Sequence, residues 1–236
     1  MLALSPSHSA NRLLAALSPA DMRLLKPLLQ PRSLKLRQDL ERPNQPIEDV
    51  YFPHLGIASV VAVQRKDQRV EVGLIGYEGM SGTSVVLGGD RSPHSTYMQV
   101  EGEGHSISIG DLRGAMEASA SLHSLLLRYV HVFMVQTAHT AISNARAKLD
   151  IRLARWLLMA HDRVRDNKLP LTHEFLALML GVRRAGVTET LHTLVIQKLI
   201  KTDRGAVVIV DRKGIERTAG DSYGTPEAEF HRLIGK

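Results

Sequence analysis

An α+β fold is predicted from three features of the 236-residue sequence. Short segments rich in β-branched residues fall between Val50 and Ile109 and are separated by turns of Gly, Asp and Ser, as in an antiparallel β-roll. A long helix is predicted over residues 121–149, which contain no proline or glycine, and two short amphipathic helices then meet at Gly181. The order is therefore an N-terminal roll, a long helix and a C-terminal helix-turn-helix unit.

The excess positive charge lies in the helix-turn-helix part of the chain. The net charge is +6 and the pI about 9.7, which favours an acidic partner such as nucleic acid or a membrane surface. Residues 1–144 hold 13 Lys or Arg and 13 Asp or Glu, whereas residues 145–217 hold 15 and 8. This asymmetry predicts two halves with different roles.

Composition excludes several functional classes. The sequence has no cysteine, which excludes disulfides, cysteine-ligated zinc, iron–sulfur clusters and cysteine nucleophiles. No apolar run approaches the roughly 20 residues that span a bilayer, and residues 1–17 lack the basic start and long apolar stretch of a signal peptide. We therefore expect a cytoplasmic protein without a membrane partner.

The roll is predicted to follow a helix over residues 18–29, with Ser18 as its N-cap and Pro19 as its first residue. Asp111 is the predicted cap of the helix that leaves the roll. Strands are predicted at residues 57–63, 70–75, 96–102 and 105–109.

The long helix carries a stripe with the three–four spacing of a coiled coil. Such a helix has more apolar surface than a small β domain can cover, so the stripe is predicted to pack against a second copy of the chain. The alternative is that it packs along its own domain. The residues predicted to form the dimer helix contact are Leu122, Leu125, Tyr129, Val132 and Gln136.

Two adjacent arginines begin the second helix of the helix-turn-helix unit. The positive charges of Arg183 and Arg184 would be unfavourable at the positive end of a helix dipole unless the two side chains bind phosphates or guanine edges. A solvated helix start is the alternative. A turn at residues 203–205 and a strand at residues 206–210 predict a wing after this helix, with Lys201 and Arg204 on backbone phosphates.

The order of these parts resembles the Crp/Fnr family of bacterial transcription regulators, over roughly residues 18–219. The match is strongest over LTHEFLALMLGVRRAGVTETLHTLVIQKLI, residues 171–200. The resemblance implies a cyclic-nucleotide-binding-like roll (residues 1–114) that serves as a sensor or effector domain. A dimerisation helix (115–148), a winged helix-turn-helix DNA-binding domain (149–220) and a tail (221–236) would follow, the tail being either disordered or docked on the winged domain.

The resemblance implies a homodimer that binds a palindromic operator in double-stranded DNA and recruits or blocks RNA polymerase. Arg184 is the residue type with which the family reads guanine, whereas Ala185 and Glu189 depart from the family pattern. The operator sequence is therefore expected to differ from the family's usual operator. The residues predicted to bind DNA are Thr172, His173, Arg183, Arg184, Ala185, Thr188, Glu189, His192, Lys201 and Arg204.

The sensor half departs more strongly from the family. Cyclic-nucleotide-binding members have Gly-Glu followed about ten residues later by Arg-Ser, but here Thr83 follows Gly82 and the Arg91–Ser92 pair comes two residues early. A cyclic nucleotide in the usual mode is therefore not expected, and the effector is unknown. The residues of the predicted effector pocket are Gly82, Thr83, Arg91, Ser92 and His94.

No metal, cofactor or enzymatic activity is predicted. The 11 histidines include no His-x-x-x-His helical pair, and no nucleophile–base arrangement or phosphate loop is recognisable. The alternative function is a ligand-binding or protein-interaction module of this fold that no longer binds DNA. A regulator without any small-molecule effector is a further variant.

Overall fold

The computed structural model describes residues 11–65, 68–164 and 166–235. Two short helices come first, α1 (Arg12–Ala15) and α2 (Pro19–Leu25), and a 3-10 turn follows α2. The predicted Ser18 cap is confirmed, since its hydroxyl oxygen accepts the Asp21 amide. Seven strands follow: β1 (Gln30–Leu34), β2 (Asp39–Glu41), β3 (Asp49–Pro53), β4 (Ile57–Arg65), β5 (Gln68–Ile75), β6 (Ser95–Val100) and β7 (Gly102–Ser108).

These strands form two antiparallel sheets that make up the roll. One has the order β1-β7-β3 and the other β2-β6-β4-β5. A short helix, α3 (Thr83–Val86), lies between β5 and β6. The apolar core of the roll comprises Leu34, Leu40, Ala58, Val60, Ile75 and Met98, which confirms the predicted fold class for the N-terminal half.

The helices that leave the roll are α4 (Ile109–Ala118) and α5 (Ala120–Arg146). The predicted cap at Asp111 is wrong by three residues, because Ser108 is the N-cap and its side-chain oxygen accepts the Asp111 amide. Asp111 instead lies in the first turn and accepts the Ser108 hydroxyl. The long helix α5 is confirmed, and the Ser119 hydroxyl caps it.

The C-terminal part is a winged helix-turn-helix. Its elements are α6 (Leu149–Arg163), β8 (Lys168–Leu169), α7 (His173–Leu180), α8 (Arg184–Ile196), β9 (Ile200–Asp203), β10 (Ala206–Ile209) and α9 (Arg212–Ala219). The three strands pair in the order β8-β10-β9. Gly181 ends α7 with φ of 62°, a left-handed conformation that glycine adopts without strain.

The roll and the winged domain share one apolar interior. Ile57, Val61 and Leu74 of the roll belong to the same buried cluster as Leu157 of α6 and Leu176 of α7. Gly76 allows close packing here, since a Cβ at this position would approach the Arg163 side chain of α6 to 2.7 Å. The winged domain is therefore docked on the four-stranded sheet rather than tethered beside it.

The tail forms a helix, α10 (Thr225–Leu233), that packs on α5. Phe230 is buried in the same cluster as Leu13 of α1 and Val132 of α5. Tyr223, just before α10, donates a 2.7 Å hydrogen bond to Asp162 of α6. Of the two alternatives predicted for the tail, docking on the winged domain describes only Tyr223, because α10 packs on the long helix.

None of the helices in the described part of the chain combines the length and the apolar character that a membrane-spanning segment needs.

Candidate nucleic-acid interface and effector pockets

The helix-turn-helix presents the start of α8 at the surface. Thr172 caps α7 by accepting the Phe175 amide, and Arg183 is the N-cap residue of α8. Val187, Leu191 and Leu194 are buried and hold α8 against α7 and α6. The opposite face of α8 is exposed, as the helical spacing predicts, and it consists of Ala185, Thr188, Glu189 and His192.

The two helices of the motif are linked by polar contacts at this surface. The Nδ1 atom of His173 lies 2.9 Å from the Thr188 hydroxyl, which donates to the Arg184 carbonyl. Arg184 also forms a 2.9 Å ion pair with Glu174, and the two side chains are 66% and 62% exposed. An ion pair this exposed is worth at most about 1 kcal/mol, so a phosphate or a base edge can displace Glu174 from Arg184.

The wing adds positive charge beside α8. Lys201 and Arg204 are exposed on the β9–β10 hairpin, and neither forms an ion pair within the described residues. Asp203, between them, is neutralised by a 2.9 Å pair with Lys168. The wing therefore offers two cations to an acidic partner.

Thr172 is exposed and lies at the edge of a cleft between α7 and the roll, with a volume of about 490 Å³. Arg37 and Arg69 line the cleft from the roll, and neither has a carboxylate partner in the part of the chain that the structure describes. Sequence reasoning missed these two arginines because they lie more than 100 residues from the helix-turn-helix. They bring positive charge next to the start of α7.

The predicted effector pocket is a small cavity of about 80 Å³. It brings together four of the five predicted residues, Gly82, Thr83, Ser92 and His94. Arg91, the fifth, is exposed and pairs with its neighbour Asp90, so the structure contradicts its placement in the pocket.

The Gly82 amide of this cavity already donates to a carboxylate of the protein and is not free for an anionic ligand. The buried Glu41 accepts the Gly82 amide at 2.7 Å, and burial raises the pKa of Glu41. Ligand pockets usually enclose about 300 Å³ or more, so this cavity has neither the room nor the charge for a cyclic phosphate.

The stripe predicted to contact a second chain is buried within the protomer. Leu122, Leu125, Tyr129, Val132 and Gln136 are all at most 5% exposed. Gln136 continues the edge of the sheet, where its side-chain carbonyl accepts the Leu74 amide and its side-chain amide donates to the Leu74 carbonyl. The predicted dimer face is therefore wrong, because the roll, the other helices of the N-terminal half and α10 cover it.

A second stripe with the same spacing faces outward on α5. Leu127, Met134 and Ile142 are 41%, 61% and 59% exposed, although they are large apolar side chains. Ala138, Ala141 and Ala145 are exposed between and beyond them. This outer stripe is the apolar face that the protomer leaves uncovered, and it is defined by Leu127, His131, Met134, Ala138, Ala141 and Ala145, with Ile142 beside it.

Residues 151–218 match the family model of the Crp-like helix-turn-helix domain. The chain has the Crp/Fnr fold. A Crp/Fnr transcriptional regulator from Eubacterium rectale is 19% identical with a TM-score of 0.68, and the alignment covers 88% of this chain and 97% of that chain. FixK2 from Bradyrhizobium japonicum is 14% identical with a TM-score of 0.69, over 81% of this chain and 98% of that one.

The c-di-GMP-responsive regulator CLP of Xanthomonas campestris is 19% identical with a TM-score of 0.63, over 81% of this chain and 99% of that one. No curated protein has a significantly matching sequence. The resemblance to Crp/Fnr regulators is confirmed at the level of the fold, and residues 151–218 form a Crp-like helix-turn-helix domain.

Two carboxylates, one of them fully buried, join the roll to the winged domain. Glu78 forms a 2.7 Å ion pair with Arg163 of α6, and these side chains are 16% and 7% exposed. Glu71 of β5 accepts the Trp156 indole N–H. Burial raises the pKa of Glu71 to about 7, although Trp156 and the nearby Arg163 and Arg155 act in the opposite direction.

Among the described residues, no group of three His, Asp or Glu side chains is placed to hold a metal ion.

Proposed function

We propose that this Crp/Fnr chain acts as a homodimer that binds a two-fold-symmetric promoter site. The observation that carries the proposal is the exposed N-terminal half of α8, which has two arginines at its start and a basic wing beside it. In a helix-turn-helix this part of the second helix enters the major groove. Two such helices in a dimer would lie about 34 Å apart on one face of the duplex.

Each exposed residue of the interface has a proposed role. Arg184 donates to guanine O6 and N7, Ala185 contacts a thymine methyl, and Glu189 accepts from cytosine N4 or orients Arg184. Arg183, Thr188 and His192 flank these contacts. Phosphates are bound by Thr172, His173, Lys201 and Arg204, and we add Arg37 and Arg69 of the cleft.

Arg184→Ala is expected to weaken binding to the specific site by about 1–3 kcal/mol, because a bidentate contact to guanine is lost. Competition titrations against the best duplex selected from a random pool and against random DNA would measure this loss. Arg232→Ala is the matched control, since Arg232 is 65% exposed in an ion pair on α10. An equal loss on random DNA would show that Arg184 contacts only phosphate.

The same selection tests DNA binding itself. An enriched palindrome with half-sites one helical turn apart supports the homodimer. No retention on duplex DNA at moderate salt would favour the alternative, a ligand-binding or protein-interaction module that no longer binds DNA.

The homodimer is proposed to form through the outer stripe of α5. Its spacing of three and four residues matches a two-helix seam, and its alanines allow close approach of a partner helix. His131 lies within the stripe and its Nε2 atom is 3.1 Å from a Glu229 carboxylate oxygen, so α10 would border the seam.

Met134→Glu is expected to weaken dimerisation by at least about 100-fold, because two carboxylates would be buried across the two-fold axis. Sedimentation over a concentration series measures the effect. Leu87→Glu on the roll is the control, since Leu87 is 63% exposed and lies off α5. A dimer of unchanged affinity in Met134→Glu would place the interface elsewhere.

A bound regulator of this kind would recruit or block RNA polymerase. The roll is proposed to serve as the sensor domain, with an effector other than a cyclic nucleotide bound in the usual mode. The internal carboxylate of Glu41 at the Gly82 amide supports this part of the proposal.

A further inference from the structure

A second cavity lies where the four parts of the chain meet. Its volume is about 280 Å³, which is close to the lower limit for small-molecule sites. The roll contributes Tyr77 and Glu78, α5 contributes Tyr129 and Phe133, and the winged domain contributes Arg163. The remaining wall is formed by α1 and the tail, through Arg12, Tyr223, Pro226, Glu227 and Phe230.

Two opposite charges border this junction cavity without neutralising each other. The Arg12 guanidinium lies over the Phe230 ring, 4.9 Å from its centroid, and has no carboxylate partner among the described residues. Glu227 accepts the Gly224 amide at 3.1 Å and forms no direct ion pair in the same part of the chain, although its charge helps to raise the pKa of Arg163. Arg12 and Glu227 both line the cavity, so a single bound molecule can contact both charges.

The other charged groups of the wall already have an ion-pair partner, although Glu78 Oε2 and Arg163 Nε have no hydrogen-bond partner among the described residues. Glu78 pairs with Arg163, and Asp162 accepts from Arg212 and from the Tyr223 hydroxyl. The groups left to recognise a ligand are therefore one guanidinium, one carboxylate and the aromatic rings. A guanidinium binds a carboxylate, a carboxylate binds an ammonium group, and the rings accommodate an apolar body.

We propose that the junction cavity binds a small zwitterion with an apolar or aromatic body, of the class of the free amino acids. Its carboxylate would contact Arg12, its ammonium group Glu227, and its side chain the rings of Phe133 and Phe230. Because the cavity is lined by α1, the roll, α5, α6 and the tail together, a ligand that fills it stabilises the docked arrangement of the winged domain. Regulation of DNA binding by this ligand rests on the proposed function, whereas binding of the ligand to the cavity does not.

The test uses calorimetry on the full chain without DNA, with L-phenylalanine, phenethylamine and 3-phenylpropionate as probes. L-Phenylalanine is expected to bind at least about tenfold more tightly than either probe that lacks one charge. Arg12→Gln should abolish its advantage over phenethylamine, and Glu227→Gln its advantage over phenylpropionate. Arg23→Gln and Glu117→Gln, at exposed positions on α2 and α4, should change neither ratio.

The proposal is overturned if L-phenylalanine and the other apolar L-amino acids show no binding, if the three probes bind equally, or if the control variants weaken binding as much. A DNA titration with and without L-phenylalanine separates ligand binding from its effect on DNA affinity. Binding of the amino acid with unchanged DNA affinity would refute the regulatory role and keep the site. Loss of DNA binding altogether would refute the proposed function and leave the calorimetric result unaffected.

Discussion

Glu78→Gln is expected to lower the free energy of unfolding by about 3 kcal/mol. The substitution keeps the shape of the side chain but leaves the Arg163 guanidinium, 7% exposed, without its countercharge. Burial lowers the pKa of Arg163 while Glu78, Glu227 and Asp162 raise it by more, so the arginine stays charged. A buried charge that has lost its direct ion-pair partner is the source of the expected loss.

Chemical denaturation of three variants would isolate this effect. Glu78→Gln combined with Arg163→Met removes both charges and should lie closer to wild type than Glu78→Gln alone. Asp39→Asn breaks the exposed Asp39–Arg42 pair and should change stability by less than about 1 kcal/mol. If the double variant is the least stable of the three, the pair is not held by charge complementarity.

Glu71→Gln is expected to stabilise the fold by about 3 kcal/mol more near pH 8 than near pH 4. The pKa of Glu71 is raised from 4.5 in the unfolded chain to about 7 in the folded protein. Below the unfolded pKa both states are protonated and Glu71 has no penalty. As the pH rises towards 7, the unfolded state releases its proton first, so stability falls, and above about 7 the penalty is constant.

The glutamine side chain in Glu71→Gln does not titrate, and its carbonyl can still accept the Trp156 N–H, so the stability of this variant should not fall over the same pH range. Urea titrations of wild type and variant at the two pH values measure the gain in unfolding free energy at each pH. Any packing effect of the substitution cancels when the two gains are subtracted. Glu103→Gln on β7, which is exposed, is the control and should show a change within about 0.5 kcal/mol at both values. An equal gain for Glu71→Gln at both pH values would mean that folding does not raise the pKa of Glu71.

The sequence allows the winged domain to be predicted almost element by element. Its helix ends depend on local signals: Thr172 and Asp211 are N-caps, and Gly181 adopts a left-handed turn. Each of these residues interacts only with neighbours a few positions away in the sequence. The roll is harder, because β1 contains Pro31 and exposed polar residues and lacks the alternation that identifies a strand. It pairs with β7, more than 70 residues later.

The face of α5 could not be assigned from periodicity. Two stripes share the same spacing, and the inner one around Leu122 and Tyr129 is the more apolar. The roll covers that stripe, and only the three-dimensional packing shows that Met134 and Ile142 remain exposed. The junction cavity is equally non-local, since Arg12 and Glu227 are separated by almost the whole described chain.

The apolar cluster that joins the sheet to α6 and α7 has a thermodynamic consequence. Leu74 and Leu157 become exposed to solvent together if either half unfolds. Unfolding of the winged domain would therefore expose apolar residues of the sheet to water. Heat would then denature the two halves in one cooperative step, and thermal damage to the winged domain would spread to the roll.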